Sequence, residues 1–153
     1  MSPNVLDALL AYLHFSALFL LVACLGAQLF LLRAQPGANV IPSLSRSDIG
    51  LLIAAVLVLA TGLARVFFGI KGAGFYAGNP LLYVKLVLFL AIGLISIKPT
   101  LRYIRWGKSL AADAGFTPPA AEVASARRMV VLELHLLALI PLAAVFMARG
   151  MGL

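Results

Sequence analysis

Val5 to Leu32 reads VLDALLAYLHFSALFLLVACLGAQLFLL, an apolar run interrupted by few polar side chains, chiefly Asp7, His14 and Gln28. As one helix at ~1.5 Å per residue it would be about 42 Å long. A bilayer's hydrocarbon core is ~30 Å thick, so the run predicts a transmembrane helix that tilts or protrudes. No basic segment precedes it, and it is far longer than the apolar region of a signal peptide, so the span is expected to stay in the mature protein. Ser2 and Pro3 suit the cap and first turn, and Arg33 with Gln35-Pro36-Gly37 ends it.

Outward from this stretch, the pattern repeats. Ile49 to Gly69 forms a second run, preceded by Ser45 and Asp48 at a capping-box spacing. A third opens at Asn79-Pro80, a cap followed by proline, and reaches Lys98, where Pro99 is expected to kink or stop it. The segment holding Arg102, Tyr103, Arg105, Trp106 and Lys108 then reads as basic, aromatic and interfacial. Thr117-Pro118-Pro119 reopens a helix that is apolar from Met129 to Met147, with Pro141 expected to kink it. The glycines between Gly69 and Gly78 frame a loop. The predicted architecture is all-α, a single integral membrane four-helix bundle with spans near 5–32, 48–69, 80–98 and 126–148.

Composition agrees. Of 153 residues, 63% are hydrophobic and 11% charged, and the mean hydropathy is +1.09, which excludes an ordinary soluble domain. The net charge of +7 does not point to nucleic acid, because the longest spacing between apolar stretches is short and the location of the charges suits orientation in a membrane. It orients the bundle instead. Arg33, Arg46, Lys98, Arg102, Arg105, Lys108, Arg127 and Arg128 flank the first and third loops, against Lys71 and Arg149 on the other side. The basic loops are therefore expected in the cytoplasm and both termini outside. Cys24, the only cysteine, sits in an apolar run and reads as core packing.

An ionisable group at the centre of a membrane helix costs at least ~2.5 kcal/mol, so each one asks for a partner or a role. His14, Arg65, Lys85, Glu133 and His135 are such groups. His14 and His135 each lie ~14 Å into their spans at helical rise, near the midplane. That matches either a pair of axial ligands to one haem iron or two hydrogen-bonding residues between helices. Asp7, His14, Leu21 and Gln28 recur every seven residues on a stripe expected to face the bundle. Arg65 and Lys85, in the outer half, suit either snorkelling or pairing with the carboxylates of a porphyrin or another anionic ligand. Glu133 and His135 are about 200° apart on their helix and cannot both face one core. One must meet lipid or another chain, which predicts a homo-oligomer or a larger membrane complex.

Five stretches, Tyr12-Leu13-His14-Phe15, Thr61 to Phe67, Asn79-Pro80 through Lys85-Leu86, Ser96 to Thr100 and Met147 to Gly150, resemble an uncharacterised family of small bacterial inner-membrane proteins, the domain of unknown function family 2214. Leu13-His14 and Tyr83-Val84-Lys85-Leu86 are also similar to the HemJ family of membrane protoporphyrinogen oxidases and to CopD-like membrane proteins. That resemblance implies haem b on His14, Lys85 as the second functional and catalytic residue, and a matching role for Glu133. Where HemJ proteins carry a lysine three residues before the histidine, this chain has Ala11. The expectation is thus a haem-b-binding redox protein of the inner membrane, and the alternative is a non-catalytic accessory or assembly subunit.

Overall fold

The computed structural model describes residues 2–152. Four long helices are each apolar and long enough to cross a membrane: α1 (Pro3–Leu31), α2 (Ile41–Phe68), α4 (Pro80–Ala112) and α5 (Ala120–Ala148), with a short α3 (Gly72–Ala77) between the second and third of them. Among the described residues there is no strand. An even number of spans returns both ends of the chain to one side, called here the terminus end, opposite the basic-loop end.

Local chemistry sets most boundaries. Pro3 and Pro80 occupy first-turn positions that need no N–H. Asn79 caps α4 by accepting from the Leu81 N–H at 2.9 Å, and its amide donates to the Met151 carbonyl at 3.0 Å, tying the C-terminal turn to the start of α4. Gly69 ends α2 in extended conformation. A Cβ there would strike the Arg65 carbonyl and stand 2.9 Å from Asp7 Oδ1, so only glycine fits. Gly72, at φ 72°, then turns the chain into α3, a short helix within the stretch that the glycines mark as a loop.

Two boundaries correct the sequence reading. Helix α2 begins at Ile41, with a proline in its first turn, so Ser45 and Asp48 lie inside the helix rather than capping it. Helix α4 runs through Pro99 to Ala112 without stopping. A membrane helix tolerates the lost bond when its surroundings supply packing and alternative acceptors, and Pro99 is itself buried. Because the helix continues, Pro99, Tyr103 and Trp106 recur at helical neighbour spacing on its inner face. Tyr103 and Trp106, expected at the interface, are instead among the most buried side chains, each 1% exposed.

The helices pair as two intimate hairpins, α1 with α2 and α4 with α5, joined more lightly by α2 against α4 and α1 against α5. This leaves α1 diagonal to α4 and α2 diagonal to α5. Small residues let the first hairpin close. A Cβ on Gly50 would lie 3.0 Å from Cys24 Sγ, and one on Gly62 would lie 3.2 Å from His14 Cε1. The core, including Leu25, Leu44, Ala54, Tyr103, Ala126 and Val130, is concentrated toward the basic-loop end. Helix α1 buries nothing before Ala17, α2 nothing after Val58 and α4 nothing before Ile92. Of the four long helices only α5, through Ala143 and Met147, keeps buried residues near the termini, so the two hairpins are packed most closely at the basic-loop end and more loosely at the other.

Ala54 and Ala126 have no exposed surface, so Ala54→Leu and Ala126→Leu should each overpack the core and cost about 1–3 kcal/mol. Leu90→Ala, on a lipid-facing site, should cost far less. Unfolding in mixed micelles measures this, and equal losses at all three positions would contradict the core assignment.

Candidate functional site

Polar side chains inside the bundle gather at two levels. The first is in the terminus-end half, where His14 on α1, Arg65 on α2 and Lys85 on α4 are all half-buried. His14 Nδ1 lies 3.0 Å from Thr61 Oγ1. The Thr61 hydroxyl itself donates to the Leu57 carbonyl at 2.6 Å. Its hydrogen being spent, Thr61 accepts, and His14 Nδ1 is the donor. That fixes the tautomer with the Nε2 lone pair free. A bond of this kind on one ring nitrogen orients the other for a ligand.

The two cations share this level. The Arg65 guanidinium carbon sits 5.8 Å from the Phe15 ring centroid, a cation–π arrangement, while its buried Nε has no partner. Lys85 Nζ donates to Met147 Sδ at 3.6 Å, a weak acceptor for an ammonium. Among the described residues the one ion pair is Arg105 with Glu122, at 2.9 Å and far along the bundle. Arg65 and Lys85 therefore have no carboxylate partner, and they stand with His14 in the terminus-end half of the bundle.

The second level lies toward the basic-loop end and draws on all four long helices. Asp48 Oδ1 on α2 accepts from Thr100 Oγ1 at 3.0 Å and, at the limit of a hydrogen bond, from Gln28 Nε2 at 3.5 Å. Tyr103 OH reaches across the α1–α4 diagonal and donates to Gln28 Oε1 at 3.2 Å. Glu133 on α5 is 1% exposed, and neither of its carboxylate oxygens has a hydrogen-bond partner. It lies within electrostatic range of Asp48 and of Tyr103. Between the two levels is an apolar layer with a void of about 60 Å³, lined by Leu21, Leu51, Phe89, Ile92 and Leu137 and by the lone hydroxyl of Ser96.

Five residues drew attention in the sequence, and the structure divides them. His14, Arg65 and Lys85 come together. Glu133 turns inward, at the other level. His135 is exposed, and its Nδ1 donates to the carbonyl of Val131 in its own helix at 2.7 Å, so it shares no interior slot with His14. Among the described residues there is no cluster of three or more metal-type ligands. Asp48, Thr100 and Tyr103 were not anticipated as interior polar groups. The signal was present in the Ile41-Pro42 helix start and in the spacing of Thr100, Tyr103 and Trp106.

Tyr103→Phe removes the one donor to Gln28 Oε1 and should cost about 1 kcal/mol. Gln28→Leu takes a partner from both Tyr103 and Asp48 and should cost more, about 1–3 kcal/mol. Unfolding in detergent measures both, and a neutral Gln28→Leu would mean that the network does not hold the helices together.

No curated protein and no solved structure matches the chain, so the HemJ-like and CopD-like similarities rest on their short motifs alone. A family model does match, over residues 6–152, described as a predicted membrane protein. With its four apolar helices the chain belongs to that family, the domain of unknown function family 2214.

Proposed function

We propose that this multi-pass membrane protein binds haem b in the terminus-end half of the bundle and acts in membrane electron transfer. The observation that carries the reading is the fixed His14 imidazole. With Nδ1 held by Thr61, its Nε2 is free to ligate iron beside two cations that lack carboxylate partners. The donor set fits: neutral imidazole suits iron, and Arg65 and Lys85 suit the two propionates. The void in the apolar layer, about 60 Å³, is far too small for a porphyrin, so the ligand would have to part the two hairpins beside His14.

When bound, haem supplies one-electron exchange. The chain's own residues do the rest. Thr61 and Gly62 hold the imidazole plane, Arg65 anchors an anionic edge, and Lys85 can give or take a proton at Nζ next to the bound ligand. His135 has no part in this site. The reading keeps the termini outside and the basic loops in the cytoplasm of a bacterial inner membrane.

Protein purified in detergent from haem-replete cells should give a reduced-minus-oxidised spectrum of b type. His14→Ala should abolish it, and His135→Ala should leave it intact. A colourless preparation, unchanged on adding hemin, would rule the proposal out. One observation favours the alternative reading of an accessory or assembly subunit: His135 is exposed on a face of α5 that would otherwise meet lipid. Native mass analysis after mild solubilisation should then show a second copy or a partner, with His135→Leu weakening it. A monomer alone would count against that alternative.

A further inference from the structure

The outer face of α5 at the basic-loop end carries two charges with no counter-charge in the chain. Arg127 and Arg128 are both exposed, and among the described residues the one ion pair is Arg105 with Glu122. Beside the two arginines is an open cleft of about 500 Å³, lined by their side chains with Ala124 and Val131. Helical spacing explains its shape. Ala124 precedes the arginines by three and four residues and Val131 follows them by four and three, so all four share one face. Side chains on a helix lean toward its N-terminus, so both arginine stems reach over Ala124, whose single methyl leaves the notch between them open. Val131 lies one turn deeper.

Depth selects the ligand. Arg127 and Arg128 immediately precede the part of α5 that is apolar from Met129 to Met147, which sets them where hydrocarbon gives way to headgroups. Beyond His135, whose Nδ1 is turned to the Val131 carbonyl, the same face exposes Leu139 and Leu142, an apolar track for an acyl chain. Two adjacent guanidinium groups match the oxygens of a phosphodiester, which accept parallel N–H bonds. A zwitterionic headgroup would bring its own ammonium against them; an anionic one adds no such repulsion. We propose that this cleft binds a phospholipid with an anionic headgroup, its phosphate between Arg127 and Arg128 over Ala124 and an acyl chain running along Val131 and Leu142. The site stands apart from the haem reading and needs no haem to be tested.

The full chain in detergent, equilibrated with equimolar dioleoyl phosphatidylglycerol and dioleoyl phosphatidylcholine, should retain a single phosphatidylglycerol per chain in native mass spectra. Arg127→Gln combined with Arg128→Gln should lower that retention by about tenfold. Arg46→Gln combined with Lys98→Gln, an equal loss of charge from α2 and α4 at the same end, should leave it unchanged. If the first double variant fails to fold, Arg127→Gln alone and Arg128→Gln alone should each show part of the loss. Equal retention of both lipids by the wild type would overturn the proposal. So would equal losses in the two double variants, which would mean that net charge alone attracts the lipid. Release of the lipid by inorganic phosphate would assign the cleft to a free anion instead, and a second copy of the chain lost together with the two arginines would make the face a protein contact; either result also overturns it.

Discussion

Hydrocarbon offers no water to a polar side chain, so each one inside the bilayer must find its partner within the protein, at the interface or in a ligand. In this bundle that constraint sorts the ionisable groups by depth. His14, Arg65 and Lys85 collect toward the terminus end, and Asp48 and Glu133 toward the tightly packed basic-loop end. An apolar layer around Leu21, Leu51 and Ile92 keeps the two apart. Arg65 and Lys85 are thus held at a separate level from Asp48 and Glu133, and Glu133 keeps two unpartnered oxygens. That separation, rather than any single residue, makes the terminus end a candidate for an anionic ligand.

Packing produces the separation. Helices in a membrane gain little from burying apolar surface against each other, since lipid is equally apolar, and depend on close approach and hydrogen bonds. Gly50 against Cys24 and Gly62 against His14 bring α1 onto α2, and Ser47 adds a bond to the Cys24 carbonyl at 2.9 Å. At the basic-loop end, Tyr103 and Trp106 fill the centre with ring centroids 5.7 Å apart, and Trp106 Nε1 donates to Glu122 at 2.9 Å. The side chain of Gln35 donates to the Pro118 carbonyl, linking the two loops at that end. At the other end, Asn79 bonds α4 to the C-terminal turn, and Tyr76, Ala143 and Met147 supply the buried side chains.

Long apolar runs made the four spans and their class legible in the sequence, because hydropathy is a property of composition and needs no tertiary contact. His14, Arg65 and Lys85 were legible for the same reason: a charge in an apolar run is conspicuous. Glu133 and His135 were recognised as incompatible with one core, but which of them faces inward depends on how α5 is rotated against its neighbours. Asp48 and Tyr103 were misread because they lie near the ends of their apolar runs, where polar residues ordinarily mark a cap or an interface. Only the continuation of α2 back to Ile41 and of α4 past Pro99 carries them into the interior, and packing governs that continuation.

The bundle packs most closely toward its basic loops and more loosely toward its termini. Single cysteines placed in a Cys24→Ser background and exposed to a small water-soluble maleimide in detergent test it most directly. His14→Cys and Lys85→Cys should be alkylated readily, while Leu25→Cys and Val130→Cys, at positions with no exposed surface, should react only after unfolding. Equal reactivity at all four positions, or faster labelling at Leu25 and Val130 than at His14 and Lys85, would contradict it.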